Sequence, residues 1–378
     1  MILEIREHWD ELFFKNFSSF KNSLHRFDKS YLEEDPIQLK NELLSPYFVE
    51  NKITFKAALL KNDHKIVSRI ILYLYPPEKF PHLANLLYFG YFDCHETLMT
   101  NEIYDFIERI CKTEHRTKIR GPMQGHFFFS YRAKLWGDLP FYGEPNTTKH
   151  SLYILNKWGF NEYKKWFSSS VNIAKTRNNF SEIRNKTKKK DIRFNKLKIK
   201  YLFPWRFNRT IKDIFQLFNN TYAFMSDFNP IDEKTFILLY SRFKLLVNPF
   251  FSYTIEYNKN VVGFCINYFD PLPILLEYQN SNSSKKPWSK LILLLKLIFN
   301  QKRLLITYVG KSTDSDGNEI KGIQSLVSKH LGFYIFLFRV KEVFVCYTAS
   351  DSLANKSFNP KNQITIAEYA MFEKNILE

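Results

Sequence analysis

Residues 86–94 read LLYFGYFDC, a run of nine residues in which Asp93 is the one charged side chain. A run that is apolar at almost every position, rather than at alternate positions, predicts a strand that is buried on both faces. The pattern then changes, because residues 101–114 carry apolar side chains at the i, i+3, i+4 and i+7 spacing of an amphipathic helix. A buried strand followed by a helix therefore forms the centre of the predicted fold.

The segments on either side of this centre extend it into a mixed sheet. Residues 52–60 and 65–75 flank a polar turn at 61–64 and are predicted to pair as a β-hairpin. The elements predicted after the helix are a short strand (117–120), a helix that ends at Gly159 (150–160) and a last strand (161–167). The predicted order is thus hairpin, strand, helix, strand, helix, strand.

The second half of the chain repeats this order closely enough to predict a second domain of the same kind. Its predicted elements are a strand (197–203), two helices (208–225 and 232–246), a hairpin (251–257 and 261–269), a strand (304–309), a helix (322–337) and two strands (342–348 and 364–373). A polar insertion is predicted at 279–290. The length of 378 residues suits two domains of ordinary size. We therefore predict an α+β protein with domains at 1–174 and 201–378.

The basic charge of the chain is concentrated between the two predicted domains. The whole sequence has 55 Lys and Arg against 38 Asp and Glu, and residues 175–200 alone contain eleven basic residues against Glu182 and Asp191. This stretch is predicted to be an exposed basic connector. It offers a contact for nucleic acid, although a genome biased towards A and T would also encode many Lys, Asn, Ile and Phe, and we favour that second interpretation.

The cysteine spacing indicates a reducing compartment, and the N-terminal sequence does not resemble a signal peptide. The four cysteines lie far apart with no CxxC pair, which predicts neither a disulfide framework nor a zinc site, and the nine His have no metal-ligand spacing. The N-terminus has charges at Glu4, Arg6 and Glu7, where a signal peptide would be apolar. The most apolar window, 291–299, is interrupted by Lys296 and is too short to cross a bilayer. We predict a cytoplasmic protein with no transmembrane span.

Short motifs in a fixed order make the sequence similar to bacterial tandem GNAT-like N-acetyltransferases. The first-half landmarks are 45–48, 65–70, 88–94, 118–123 and 158–160, and the second-half landmarks are 286–288, 291–299 and 304–310. The resemblance covers nearly the whole chain. It implies two tandem GNAT-like domains, each with a mixed, mostly antiparallel sheet flanked by helices, and acetyl-CoA or another acyl-CoA as cosubstrate.

The resemblance also implies where the cofactor would bind. Such a domain binds pyrophosphate at the N-terminus of the helix that follows its central strand, where free N–H groups and the helix dipole favour anions. The loop that precedes the second-half helix contains Gly317, Asn318, Lys321, Gly322 and Ile323, whereas residues 93–101 in the first half contain no Gly, Lys or Arg. We therefore predict the cofactor site in the second domain, with the first domain shaping the acceptor site. The acidic residues near Gly317 depart from the usual family pattern, and a domain that has lost its cofactor remains an alternative.

Further site residues are assigned by position within the same family pattern. Tyr308 and Val309 would present backbone to the acyl thioester, Asn355 would contact the cofactor arm, and Tyr369 would be the acid that protonates the departing thiolate. The aromatic segments 126–132 and 136–146 would line an acceptor pocket, pack as core or stack on bases.

Three functions follow from these predictions. The first is an acyl-CoA-dependent N-acyltransferase that acts on a small-molecule or peptide amine. The second is a tRNA-dependent aminoacyl transferase of tandem GNAT type, which would use the connector at 175–200 as an RNA contact. The third is a non-catalytic GNAT-like protein that binds a ligand or a partner.

Overall fold

The computed structural model describes two compact units. Unit 1 comprises Met1–Trp166 and Ala367–Glu378, and unit 2 comprises Phe167–Ile366. The described residues are 1–6, 10–95, 101–137, 140–173, 197–223, 227–241, 244, 246–281, 288–299, 302–312, 320, 322–350 and 363–376. The predicted connector falls outside them except at 197–200, and those four residues belong to a strand of unit 2.

Unit 1 contains the predicted hairpin and buried strand together with an N-terminal region that the sequence patterns did not predict. Its elements are β1 (Ile2–Arg6), α1 (Glu11–Leu24), α2 (Pro36–Leu43), α3 (Pro46–Glu50), β2 (Thr54–Asn62), β3 (Lys65–Leu74), β4 (Leu86–Cys94), α4 (Asn101–Thr113), β5 (Lys118–Gly121), β6 (Ala133–Gly137), α5 (Lys149–Lys157), the first part of β7 (Asn161–Val171) and most of β13 (Gln363–Asn375). The strand order is β1-β2-β3-β4-β5-β13-β7, with β6 paired to β13. Among the registers described, β4 and β5 run parallel and the others in this unit are antiparallel.

The local sequence explains these elements. The β2–β3 turn places Asp63 and His64 at positive φ, as a tight hairpin requires. Every residue of β4 is buried, which confirms the strand predicted from its uniform apolar pattern. The apolar stripe of α4 packs on the same core. α5 ends at Lys157, two residues before Gly159, whose φ of 78° supplies the left-handed residue that follows many helices.

The C-terminal strand completes the sheet of unit 1. β13 pairs with β5 from Phe372–Gly121 to Asn375–Lys118, and Glu373 accepts a 2.8 Å hydrogen bond from Arg120 Nε. Lys374 Nζ donates to the Trp158 carbonyl oxygen at 2.6 Å. The sequence predicted that this strand belongs to the second domain. In the structure most of it belongs to unit 1, because strand pairing brings together residues that are distant in the chain.

Unit 2 has the same kind of sheet. Its elements are the last residues of β7, β8 (Leu197–Tyr201), α6 (Phe207–Tyr222), α7 (Glu233–Ser241), β9 (Tyr253–Tyr257), β10 (Asn260–Phe269), α8 (Leu272–Asn280), α9 (Ser289–Phe299), β11 (Arg303–Lys311), α10 (Ile323–Leu337), β12 (Glu342–Ala349) and the start of β13. The strand order is β7-β12-β11-β10-β9-β8, with a parallel β11–β12 pair. The polar insertion predicted at 279–290 is bounded by α8 and α9, and residues 282–287 lie outside the described set.

A buried histidine makes the stability of unit 1 sensitive to acid. His25 stacks on Tyr31 with ring centroids 4.5 Å apart, and burial, reinforced by the nearby Lys21, lowers its pKa to about 4. In the unfolded chain His25 binds a proton near pH 6.5, whereas in the folded chain it stays neutral down to about pH 4. The stability that comes from neutral His25 is therefore complete above about pH 6.5 and is lost as the pH falls towards 4.

We expect His25→Gln to flatten this acid dependence. The difference in unfolding free energy between about pH 7 and about pH 4.5 should shrink by about 1–3 kcal/mol relative to the unmodified protein. Urea unfolding at the two pH values measures it. An unchanged difference would show that His25 titrates normally in the folded state.

Candidate functional site

A β-bulge in β11 is the first feature of the candidate site. The register of β10 with β11 pairs Ile266 with Tyr308 but Asn267 with Ile306, which leaves Thr307 as the extra residue. The Thr307 hydroxyl donates to the Ile266 carbonyl oxygen at 2.6 Å, and the fully buried Asn267 accepts from the Thr307 N–H at 3.4 Å. Bulges bend a strand and redirect its backbone, and they occur often beside active sites.

The bulge coincides with the point where β11 and β12 part. Their parallel pairing runs from Arg303–Glu342 to Ile306–Val345 and, in the described part of unit 2, extends no further. β11 itself continues to Lys311, and Val309 is 44% exposed. The described pairing of β11 with β12 thus ends at Ile306, and a strand edge of this kind is a place where strand backbone can hydrogen-bond a ligand carbonyl.

The N-terminus of α10 is the second feature. Gly322 precedes the helix with a φ of 94°, a left-handed conformation that side-chain-bearing residues rarely adopt, and its carbonyl oxygen accepts from the Leu326 N–H at 2.9 Å. The first N–H groups of a helix have no intrahelical partner and favour anions. Ile323 is buried at the start of the helix. Of the predicted loop, Gly317, Asn318 and Lys321 lie outside the described residues, as does Asn355.

An aromatic wall from α6 and α7 covers the bulged end of β11. The Tyr308 ring lies 5.5 Å from Phe218, 6.4 Å from Tyr222 and 5.8 Å from Tyr240, measured between centroids. Burial raises the pKa of Tyr240, and the nearby Tyr308 and Tyr222 raise it further. The wall thus combines apolar ring faces with tyrosine hydroxyls, and the raised pKa keeps that of Tyr240 protonated.

Unit 1 has a related break in its central strand, but its own backbone fills the space beyond it. The β3–β4 register shifts near Tyr91, which has a φ of 51°, and the β4–β5 pairing ends at Tyr88–Arg120. Beyond that point the Met123 N–H donates to the Phe89 carbonyl oxygen at 2.7 Å. A Cβ added to Gly90 would lie 2.5 Å from the Met123 carbonyl oxygen. The backbone at Met123 thus occupies the position where a ligand carbonyl would have to approach β4.

The end of β4 also carries a buried charge network. The Asp93 carboxylate lies 2.5 Å from Lys21 Nζ and 2.8 Å from Arg69 Nε, and Arg69 bonds Glu34 at 2.6 Å. Burial alone would raise the pKa of Asp93, but Lys21 and Arg69 hold it below its usual value. These charges neutralise one another inside unit 1.

Tyr369 lies in unit 1, whereas Tyr308, Val309, Gly322 and Ile323 lie in unit 2. Its side chain is fully buried and its hydroxyl donates to Glu144 Oε1. Lys134 Nζ bonds Glu144 Oε2 at 2.9 Å, and burial raises the pKa of Glu144. The role of Tyr369 as an acid stays a prediction.

The aromatic run at 126–132 packs within unit 1. His126 stacks on Phe128 at 5.0 Å, and Phe127 contacts Tyr131 at 4.9 Å. In the segment 136–146, Trp136 Nε1 donates to Glu368 at 2.8 Å. These contacts stabilise unit 1, and an acceptor-binding role for the two segments stays a prediction.

Sequence reasoning missed several residues of the candidate site. Thr307 and Asn267 form the bulge, and Tyr222 and Tyr240 contribute to the aromatic wall. One signal was available, because Asn267 is a polar residue inside the otherwise apolar stretch of β10 and a buried amide needs partners.

Solved structures resemble this arrangement along the whole chain. A tandem GNAT protein from the clavulanic acid biosynthesis pathway matches with a TM-score of 0.53 at 8% identity, over 100% of this chain and 99% of that one. This chain has the tandem GNAT fold. The likeness confirms the predicted α+β fold class and the predicted resemblance. At such low identity it establishes the fold alone.

Two further solved structures match this chain with similar TM-scores and sequence identities. A probable N-acyltransferase from Enterococcus faecalis V583 matches with a TM-score of 0.51 at 8% identity, over 100% of this chain and 73% of that one. A GCN5-related N-acetyltransferase from Anabaena variabilis ATCC 29413 matches with a TM-score of 0.50 at 7% identity, over 99% and 73%. No protein-family model matches the sequence, and neither does any curated protein. The tandem GNAT fold is thus recognisable here from the course of the backbone.

Among the residues that the structure describes, no three His, Cys, Asp or Glu side chains are grouped as they would need to be to hold a metal ion. None of the described helices is long and apolar enough to cross a membrane.

Proposed function

We propose that the protein is an acyl-CoA-dependent N-acyltransferase whose cosubstrate binds to unit 2. The observation that carries the proposal is the end of the β11–β12 pairing at Ile306, next to the Thr307 bulge, and the backbone of Tyr308 and Val309 would bind the thioester carbonyl there. Backbone donors aimed at a developing oxyanion stabilise acyl transfer strongly. The filled space beside β4 supports unit 2, rather than unit 1, as the unit that performs this reaction.

The cosubstrate would lie between this strand edge and the start of α10. Gly322 lets the chain turn into the helix, whose first N–H groups suit a pyrophosphate. We propose that Gly317, Asn318, Lys321 and Ile323 complete the phosphate-binding loop, and that Asn355 contacts the cofactor arm. The thioester would then reach β11 through the gap beyond Ile306.

The reaction we propose is direct transfer. The acceptor nitrogen forms a bond to the acyl carbon, the carbon–sulfur bond breaks, and the nitrogen loses a proton while the departing thiolate gains one. Tyr369 was predicted to be the acid. Tyr222 and Tyr240 are further candidates for this acid, because their rings lie 6.4 and 5.8 Å from that of Tyr308 at the proposed thioester site.

The aromatic wall also restricts the acceptor. Tyr222, Tyr240, Tyr308 and Phe218 offer ring faces and hydroxyls but, among the contacts described for them, no carboxylate. Such a surface favours a small-molecule or peptide amine with an apolar body. We propose a cytoplasmic reaction, which is supported by four free, buried cysteines, three of them (Cys94, Cys111 and Cys265) with thiol pKa values raised by burial to about 12.

Ligand-induced stabilisation tests the proposal. We expect acetyl-CoA and CoA at about 100 times Kd to stabilise the protein by roughly 2.7 kcal/mol, which would raise its melting temperature by a few degrees. Gly322→Trp should abolish this rise. The matched control is Gly143→Trp, because Gly143 also has positive φ, at 81°, and no atom lies within 4 Å of its added Cβ.

Other outcomes would indicate a different cofactor site or a different function. A rise that survives Gly322→Trp would place the cofactor elsewhere. No rise at saturating acetyl-CoA would refute the proposal and favour the non-catalytic protein or the tRNA-dependent transferase, and salt-sensitive tRNA binding would identify the latter. Where the rise is seen, a screen of amines for CoA release tests turnover.

A further inference from the structure

The outward face of α9 is apolar along its whole described length. Trp288, which precedes the helix, and Leu291, Ile292 and Leu295 follow the i, i+3, i+4, i+7 spacing of one helical stripe, and they are 71%, 50%, 52% and 45% exposed. The helix contacts α8 through the buried Ser289, whose hydroxyl lies 3.2 Å from that of Tyr278, and through Lys296, which pairs with Glu277 at 2.6 Å. α9 is thus attached to α8 and presents a stripe of large apolar side chains to solvent.

A second apolar surface lies at the C-terminal end of α10. Phe333, Phe336 and Leu337 lie at i, i+3 and i+4 and are 59%, 67% and 57% exposed. Phe338, which ends the helix, is 40% exposed. Exposed aromatic and aliphatic side chains in such a group mark an interaction surface rather than ordinary scatter.

The two surfaces belong to the same end of the unit 2 sheet. Arg303, at the start of β11, bonds Asp270 at the end of β10 at 3.1 Å and Glu342 at the start of β12 at 2.7 Å. α9 ends just before β11 begins, and α10 ends just before β12 begins. The Lys341 N–H donates to the Lys302 carbonyl oxygen at 2.8 Å, which joins the two connecting segments directly. Both helices therefore reach this end of the sheet.

The side chains around the two surfaces are predominantly basic. Lys290, Lys302, Arg339 and Lys341 are all exposed. The acidic residues described in this region are engaged in ion pairs, Glu277 with Lys296 at 2.6 Å, and both Asp270 and Glu342 with Arg303. A positive border around exposed apolar side chains complements a surface that is negative outside and apolar beneath.

We propose that this end of unit 2 binds peripherally to an anionic lipid bilayer. The apolar stripe of α9 and the end of α10 would enter the boundary between headgroups and acyl chains, with Trp288 at the interface and the Lys and Arg side chains on the phosphates. A second copy of the chain suits the surface less well, because a two-fold interface would bring the same basic residues together. The proposal does not depend on the acyltransferase activity.

Vesicle binding by the full chain tests the proposal. We expect the protein to sediment with phosphatidylcholine vesicles that contain phosphatidylglycerol, to bind at least about tenfold more weakly to phosphatidylcholine alone, and to be released by high salt. Leu291→Ser with Leu295→Ser should weaken binding by at least about tenfold, because each serine removes apolar area from the stripe. Lys302→Glu with Lys341→Glu should weaken it similarly.

Controls separate this surface from a general effect of exposed apolar or basic residues. Ile37 is 68% exposed in α2 of unit 1, so Ile37→Ser should leave vesicle binding unchanged. Absent binding to anionic vesicles, or equal binding to both vesicle types, would overturn the proposal. So would a concentration-dependent dimer that the Leu291→Ser, Leu295→Ser variant converts to a monomer, since the occupant would then be a second copy.

Discussion

Replacing Asp93 with Asn is expected to destabilise the protein by about 3–5 kcal/mol, although the two side chains have nearly the same shape. Asp93 is 3% exposed and lies between Lys21 and Arg69, both of which are also buried. The substitution leaves no cavity, but it removes the negative charge that offsets two cations withdrawn from water. Glu34 still faces Arg69, whereas Lys21 keeps the Asn146 carbonyl oxygen, at 2.5 Å, in place of a carboxylate.

Urea unfolding of the variant measures this loss. The matched control is Glu11→Gln, which also turns a carboxylate into an amide. Glu11 forms an ion pair with Lys40, and its side chain is 91% exposed. Such a surface pair contributes about 0–1 kcal/mol, so the control should unfold almost like the unmodified protein. A loss for Asp93→Asn as small as that of the control would mean that Lys21 and Arg69 are hydrated in the folded state.

The strands that were predicted correctly from the sequence are those whose pattern is local. The uniform apolar run of β4 and the hairpin turn at Asp63 and His64 depend on residues that are neighbours in the chain. The helices α1 to α3 were missed although Asp10 is a standard N-cap, accepting from the Phe13 N–H at 2.7 Å.

The candidate site was predictable only in part, for a physical reason. Gly322 was predicted because the resemblance implies a Gly-containing phosphate-binding loop and the chain has only 11 glycines, and in the structure it precedes α10 with a left-handed φ. The bulge at Thr307 arises from a register difference between two strands, and no local pattern encodes a register. The gap beyond Ile306 depends likewise on how far two strands pair. Tyr308 was chosen for its backbone, and its ring contacts with α6 and α7 could be found only from the fold.

Replacing Phe372 with Ala is expected to destabilise unit 1 by about 3–5 kcal/mol. Phe372 is 1% exposed, pairs with Gly121 of β5 and belongs to the core that contains Phe89 and Ile119. The substitution removes a buried ring and leaves a cavity, which neighbouring strands fill only partly. The matched control is Ile364→Ala in the same strand, because Ile364 is 67% exposed and its truncation should cost less than about 0.5 kcal/mol.

Hydrogen exchange shows which of the two units the substitution destabilises. A single melting temperature cannot distinguish the units. Amides of β4 and β5 should exchange faster in Phe372→Ala, while those of β10 and β11 keep their protection. Faster exchange in β10 and β11 instead would assign the last strand to unit 2, as the sequence boundaries did. The expected result follows from the Phe372–Gly121 register, since unit 1 needs β13 to complete its sheet.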